Sequence, residues 1–278
     1  MATFQQEISL FLQNIRKERT RQTYARCLNQ FNAWYMSRHD GPLSVTLLTS
    51  EILEAFCAYL FRERHLSAAS VNLHLSALRA LLSFYGYYVS ISNVKSEALV
   101  DQKPLTDEEI ARLLNAAIAE TGVHLRNRAL VSLMLCSGLR VSEVVWVRAE
   151  DVRLRGATPH VVVRHPNGIK KRHVPLLPEA LPILEAYMKS LLVFHTPMFS
   201  FNYSKPLSVR QVQRIVKRCA QEAQISRSVT PTLLRYTFAV RAFQSGADLT
   251  TLTQWLGYES VAVTRRLLKA LIEVHEDT

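Results

Sequence analysis

Apolar residues return at helical spacing along most of the chain. Ile8, Leu10, Phe11 and Ile15 form one set, Tyr24, Leu28, Phe31 and Tyr35 a second, and Ile52, Leu53, Phe56, Leu60 and Phe61 a third. A fourth, running from Val71 through Leu73, Leu75, Leu78, Leu81 and Leu82 to Phe84, follows Ser67, whose hydroxyl suits an N-cap. Each set gathers on one helical face, so residues 1–92 predict a four-helix bundle. Between 93 and 104 both periodicity and aromatic content vanish, the pattern of a linker. Thr106 followed by Glu109 then predicts a capping box that opens a helix through Ala117 and begins a second domain, residues 105–278.

Alternation of the strand kind is confined to His160–Arg164 and Arg172–Leu176, separated by the turn-forming Pro166-Asn167-Gly168. They predict one β-hairpin in an otherwise helical domain, with a shorter strand near Phe199–Phe201. Helical periodicity resumes over 209–224, 231–244, 249–256 and 261–274. The expected fold class is mainly α with a small β-hairpin or sheet.

Composition sharpens this picture in three ways. With 8 glycines in 278 residues, tight turns are few and long helices are favoured. The four cysteines lie dozens of residues apart and the nine histidines form no His-x-His or His-Glu-x-x-His pair, so buried thiols are expected and no metal or cofactor. No basic and apolar leader opens the sequence and no apolar run approaches a membrane span, which predicts a cytoplasmic protein.

Charge points to a partner. The formal net charge is +11, a field that favours polyanions. The first hundred residues hold ten basic and seven acidic side chains, and the remainder hold twenty-four and sixteen. Basic residues of the first domain include Arg21, in a cluster from Arg16 to Arg26, and Arg79 on the fourth helix.

Three segments carry a more specific signal. They are Cys136-Ser137-Gly138-Leu139-Arg140-Val141-Ser142-Glu143-Val144, the basic hairpin through Lys170, Lys171 and Arg172 to Leu176, and Thr230-Pro231-Thr232-Leu233-Leu234-Arg235-Tyr236-Thr237-Phe238-Ala239. Together with Gly246-Ala247-Asp248-Leu249 and Leu256-Gly257, they resemble the boxes of the tyrosine recombinase/integrase family in order, spacing and flanking context. The first domain, with Thr20, Tyr24 and Val71–Arg79, resembles that family's core-binding (SAM-like) domain. The resemblance implies a clamp of two domains on duplex DNA, with Arg140 and Arg235 offering planar forks to one phosphate and Glu143 orienting Arg140. It also implies phosphate contacts from Lys170, Lys171 and Tyr258, and self-association through exchange of the C-terminal helix.

Four positions depart from the family pattern. The nucleophilic tyrosine, nine residues past the Leu-Gly-His box, falls on Leu267, and residues 259–278 contain no tyrosine. The box's own histidine is Tyr258, the histidine of the His-x-x-Arg box is Thr232, and the hairpin lysine that serves as general acid falls on Asn167. Leu267, Leu268, Leu271 and Ile272 instead form an apolar stripe suited to packing. The expectation is a DNA-binding protein of recombinase architecture without strand cleavage, acting alone or beside an active relative on nucleoid or mobile-element DNA. The alternative is an active recombinase with a substitute nucleophile, Tyr258 first, or one supplied by a partner. A further alternative is a protein-interaction module whose basic face is residual.

Overall fold

Helix α1 (Phe4–Gln13) starts at Thr3, whose hydroxyl accepts from the Gln6 amide while the Gln6 side chain accepts from the Thr3 amide. Helices α2 (Glu18–Met36), α3 (Ser50–Arg62) and α4 (Ala68–Phe84) complete a four-helix unit, with Ser67 capping α4. A computed structural model describes residues 3–94, 103–115, 122–164, 171–191, 197–201 and 205–276. The chain divides into two compact units, residues 1–97 and 98–278.

In the first unit Phe31 and Phe56 meet edge to face at 5.0 Å, with Trp34, Leu53 and Leu78 around them. The four apolar sets do supply this core, but Leu10, Phe61, Leu73 and Phe84 lie on the outer faces, Phe61 being 53% exposed. Asn93 and Val94, assigned by sequence to the linker, are tied to α4. Asn72 exchanges two 2.8 Å hydrogen bonds with the Val94 backbone, and Arg79 donates to Asn93 Oδ1 and Ile91 O.

The second unit is organised around α6 (Gly122–Ser137), every residue of which from Ala129 to Ser137 is buried. A helix buried on all sides needs no polar face and so shows no amphipathic period, which is why periodicity did not predict it. Around it pack α5 (Asp107–Asn115), α8 (Leu181–Lys189), α9 (Val209–Glu222) and α10 (Pro231–Gln244). The capping box at Thr106 and Glu109 is present, and Arg227 fastens the start of the unit by donating to Glu109 and to the carbonyls of Lys103 and Pro104. Residues 116 and 117, the expected end of α5, lie outside the described residues.

Strands β1 (Val152–Arg153), β2 (His160–Arg164) and β3 (Lys171–Pro175) form an antiparallel sheet in that order, with Val161 opposite Val174 and Val163 opposite Arg172. Two-residue strands β4 (Ser200–Phe201) and β5 (Lys205–Pro206) pair separately. Val161 and Val163 of β2 and Val174 of β3 face the core, and β3 lies beside α11 (Leu249–Leu256). Helix α12 (Val261–Glu276) closes the unit against α10 and α11. Cys27, Cys136 and Cys219 are buried thiols as expected, while Cys57 is only half-buried. No helix among the described residues is long and apolar enough to cross a membrane.

Candidate functional site: an arginine cluster at a helix end

The turn leaving α6 sets the first arginine. Gly138 has φ +60°, and a Cβ there would overlap Cδ1 of Phe238 and lie 3.0 Å from its Cγ, so the chain passes against that ring without a side chain. Arg140 then precedes a single helical turn, α7 (Val141–Val144), and its backbone amide donates to Glu143 Oε2 at 2.8 Å. The Arg140 guanidinium donates to Glu143 Oε1 at 3.2 Å and to the carbonyl of Gly257 at 2.7 Å. Its side chain remains 37% exposed.

Arg235 comes from α10, which begins at Pro231 as the sequence predicts, with Thr230 as its N-cap. It is 5% exposed, and donates to Gly138 O at 2.7 Å and Leu256 O at 2.6 Å. Burial pulls the Arg235 guanidinium below its ordinary pKa, while Tyr258 works in the opposite direction. The Tyr258 ring underlies both arginines, 4.9 Å from Cζ of Arg235 and 5.5 Å from Cζ of Arg140. Tyr258 reaches this position because Gly257 takes the left-handed conformation, φ +60° and ψ 46°, while the Tyr258 amide donates back to Thr253 O at 3.1 Å.

Sequence reasoning missed a third arginine. Arg172 on β3 faces Glu143 with a two-point ion pair, both bonds 2.8 Å, and its Nε donates to Trp255 O at 2.9 Å. Its signal was present as a cation inside a strand whose neighbours Lys171 and His173 point to solvent. Burial raises the Glu143 carboxyl pKa, but the hydrogen bonds and charge of Arg172, then the Arg140 contacts, hold it below the ordinary 4.5. A depressed folded-state pKa contributes stability that is present above the unfolded value and lost as pH falls through the folded one. The melting temperature of the wild type should therefore exceed that of Glu143→Gln by a constant margin at neutral pH. The margin should narrow below pH 4.5; a margin independent of pH down to acid unfolding would contradict the charged clamp.

A second group escaped the sequence reading as well. Arg210, Arg214, Lys217 and Arg218 recur at helical spacing on the exposed side of α9, opposite buried Val212, Ile215, Val216 and Cys219. This helix packs against α7, the turn that begins beyond Arg140. The 3.6-residue period of these cations is itself a sequence signal for a basic helix face.

The remaining predicted residues are distributed differently. Lys171 is exposed at the start of β3, and Asn167 and Lys170 lie outside the described residues. Thr232 is exposed one turn before Arg235 on α10. Arg21 is exposed and paired with Glu18, whereas Arg79 is half-buried and engaged in the clip on residues 91 and 93. Leu267 and Ile272 are half-buried and Leu268 and Leu271 buried, all four against the core of their own unit. Thr264 is fully buried and shares a 2.6 Å hydrogen bond with Thr253, so its hydroxyl is not presented to any ligand. Among the described residues no group of three or more His, Cys, Asp or Glu could hold a metal ion.

Residues 103–271 match the phage integrase family, and residues 4–91 match the phage integrase N-terminal SAM-like domain. The chain belongs to the phage integrase family. Among its relatives, tyrosine recombinase XerC of Xylella fastidiosa is 31% identical over 256 residues, covering 88% of this chain and 84% of that protein. The fold of this integrase-family chain is shared with the XerH site-specific recombinase bound to palindromic difH substrate, at a TM-score of 0.72 and 20% identity over 92% of this chain and 78% of that one. It is also shared with a lambda integrase dimer bound to a COC′ core site, at a TM-score of 0.71 and 18% identity over 96% and 95%. The integrase boxes read from the sequence thus coincide with the elements that carry Arg140, Arg235 and Tyr258.

Proposed function

We propose that this chain binds double-stranded DNA, holding a backbone phosphate at Arg140 and Arg235, and does not cleave the strand. The observation that carries the reading is Arg235. It is a nearly buried cation that donates to two neutral carbonyls, Gly138 O and Leu256 O, with the Tyr258 phenol beside it and no carboxylate in direct contact among the described residues. A buried charge is costly unless paired, and a phosphate oxyanion is the missing counter-charge. Three guanidinium groups against the one Glu143 carboxylate leave the cluster with a net charge of +2 to receive it.

The exposed cations of α9, Lys171 and Arg21 supply further phosphate contacts, which position the duplex without reading its sequence. Relatives whose structures hold difH or COC′ core DNA support the choice of partner. The reading without cleavage rests on Leu267, an apolar residue packed on the core where the family's nucleophile stands, and on exposed Thr232 in place of an imidazole. The protein would then occupy or shape a site on cytoplasmic DNA, nucleoid or mobile-element, alone or with an active relative. Self-association through α12 would require that helix to leave the core on which it packs.

Affinity for a duplex should fall steeply with salt, the slope of log affinity against log salt being roughly 0.9 per phosphate neutralised. Arg140→Ala should weaken binding by about 1–3 kcal/mol, the scale of a charge-assisted hydrogen bond. Its half-exposed side chain should leave the melting transition in place. Titration of a labelled duplex at several salt concentrations checks both. A flat salt dependence, or an Arg140→Ala variant that binds as the wild type does, would sink the phosphate reading and favour a protein-interaction role.

A further inference from the structure

A helix ends in carbonyls without intrahelical donors, at the negative end of its dipole. At the end of α11 three consecutive carbonyls are each taken by a different arginine. Trp255 O accepts from Arg172 Nε at 2.9 Å, Leu256 O from Arg235 Nη2 at 2.6 Å, and Gly257 O from Arg140 Nη2 at 2.7 Å. The three arginines come from β3, α10 and the turn after α6, so side chains from three elements converge on this helix end. Gly257 permits the approach, since a Cβ there would lie 3.2 Å from Cζ of Arg172 and 3.3 Å from Nη1 of Arg140.

The three side chains do not do the same thing. Every nitrogen of the Arg172 guanidinium has a protein partner, two on Glu143 and one on Trp255 O. Arg140 touches Glu143 by one longer bond of 3.2 Å, and Arg235 touches no carboxylate among the described residues. Glu143 is thus neutralised by Arg172, which leaves Arg140 and Arg235 as the cations without full compensation.

We propose that Arg172 is a positioning residue of the phosphate site. It does not contact phosphate; it holds the Glu143 carboxylate and the α11 end so that Arg140 and Arg235 face one anion. The inference rests on the phosphate reading above. Without Arg172 the Glu143 carboxylate is free to take Arg140 in a two-point pair and competes with phosphate for it, and Trp255 O loses its donor. Lysine cannot substitute, because meeting three acceptors from three separate nitrogens needs the guanidinium fork.

The test is a duplex titration at fixed salt, with thermal melts in parallel, on Arg172→Gln, Arg172→Lys, Glu143→Gln, Arg140→Ala and the double variants. Arg172→Gln should weaken binding by about tenfold, the scale of a charge-assisted network, with Arg172→Lys no better. Its salt slope should fall no further than that of Arg140→Ala, because the one phosphate contact it weakens is that of Arg140. In the Arg140→Ala background Arg172→Gln should add little, since it acts through Arg140. The Glu143→Gln/Arg172→Gln double variant should regain part of the loss, because the competing carboxylate is gone. If Arg172→Gln does not fold, Arg172→Lys, made with and without Arg140→Ala, carries the same additivity test with Glu143 in place.

Losses that add fully in the Arg140→Ala background, full rescue by lysine, or wild-type affinity in Arg172→Gln would each overturn the proposal while leaving the phosphate reading intact. A silent Arg140→Ala variant overturns the phosphate reading first, and this inference with it.

Discussion

A Gly138→Ala variant is expected to lose about 2–5 kcal/mol of folding stability, from about 1–2 for a left-handed alanine and about 1–3 for overpacking. The backbone at 138 has φ +60°, and the added methyl would run into the ring of Phe238, itself fully buried on α10 and unable to swing into solvent. Relief requires the turn and α10 to separate. Gly138 O is also an acceptor for Arg235, so the same movement removes a partner of the buried guanidinium. Duplex affinity should fall beyond what the melt explains when both are measured below the unfolding transition. Gly86→Ala isolates the backbone part, because φ is +79° there and no atom lies within 4 Å of the added carbon. Equal denaturation midpoints for the two variants would show that Phe238 does not fix the turn.

The wild-type chain should form no covalent adduct with a nicked duplex, and Leu267→Tyr alone should not restore cleavage at a family rate. Leucine has no group that can attack phosphorus. Leu267 is held against the core with Leu268 and Leu271, so a phenol there enters a packed stripe rather than an open site. On the resemblance of its boxes, the family's proton acceptors and donors would also be replaced, with Thr232 for histidine and Asn167 for lysine. One general acid or base contributes about 10²–10⁴ in rate. The fair trial of a vestigial site is therefore Leu267→Tyr, Thr232→His and Asn167→Lys together. A slow-migrating, protease-sensitive band on a denaturing gel reports the adduct. Such a band from the unmodified protein overturns the reading without cleavage. Its disappearance in Tyr258→Phe would then assign the nucleophile to the phenol whose ring lies against both Arg140 and Arg235.

The legible parts of this fold were those with a period or a cap. The four helices of the first unit, the start of α5, the hairpin strands to within one residue, and the helices carrying Arg235 and Leu256 followed from spacing and from the caps at Ser67 and Thr106. Helix α6 was not legible because it is buried on every side, and α8 because its short apolar run follows prolines at 178 and 182. Exposure of Leu10 at 51% shows the limit of the period itself, which fixes a face only to within a residue or so.

By itself the sequence determined the order of the family boxes, the identities of Arg140 and Arg235, and the lack of a tyrosine after position 258. These are properties of residue type along the chain, and no packing can change them. The tertiary structure decided what those residues meet. Arg172 joins the cluster only because β3 runs beside the end of α11, and all three arginines are aimed by the backbone carbonyls of Trp255, Leu256 and Gly257. A carbonyl is present at every residue and carries no sequence signature. Which carbonyls lack a helical partner, and which way they point, is set by where α11 stops and by the left-handed turn at Gly257.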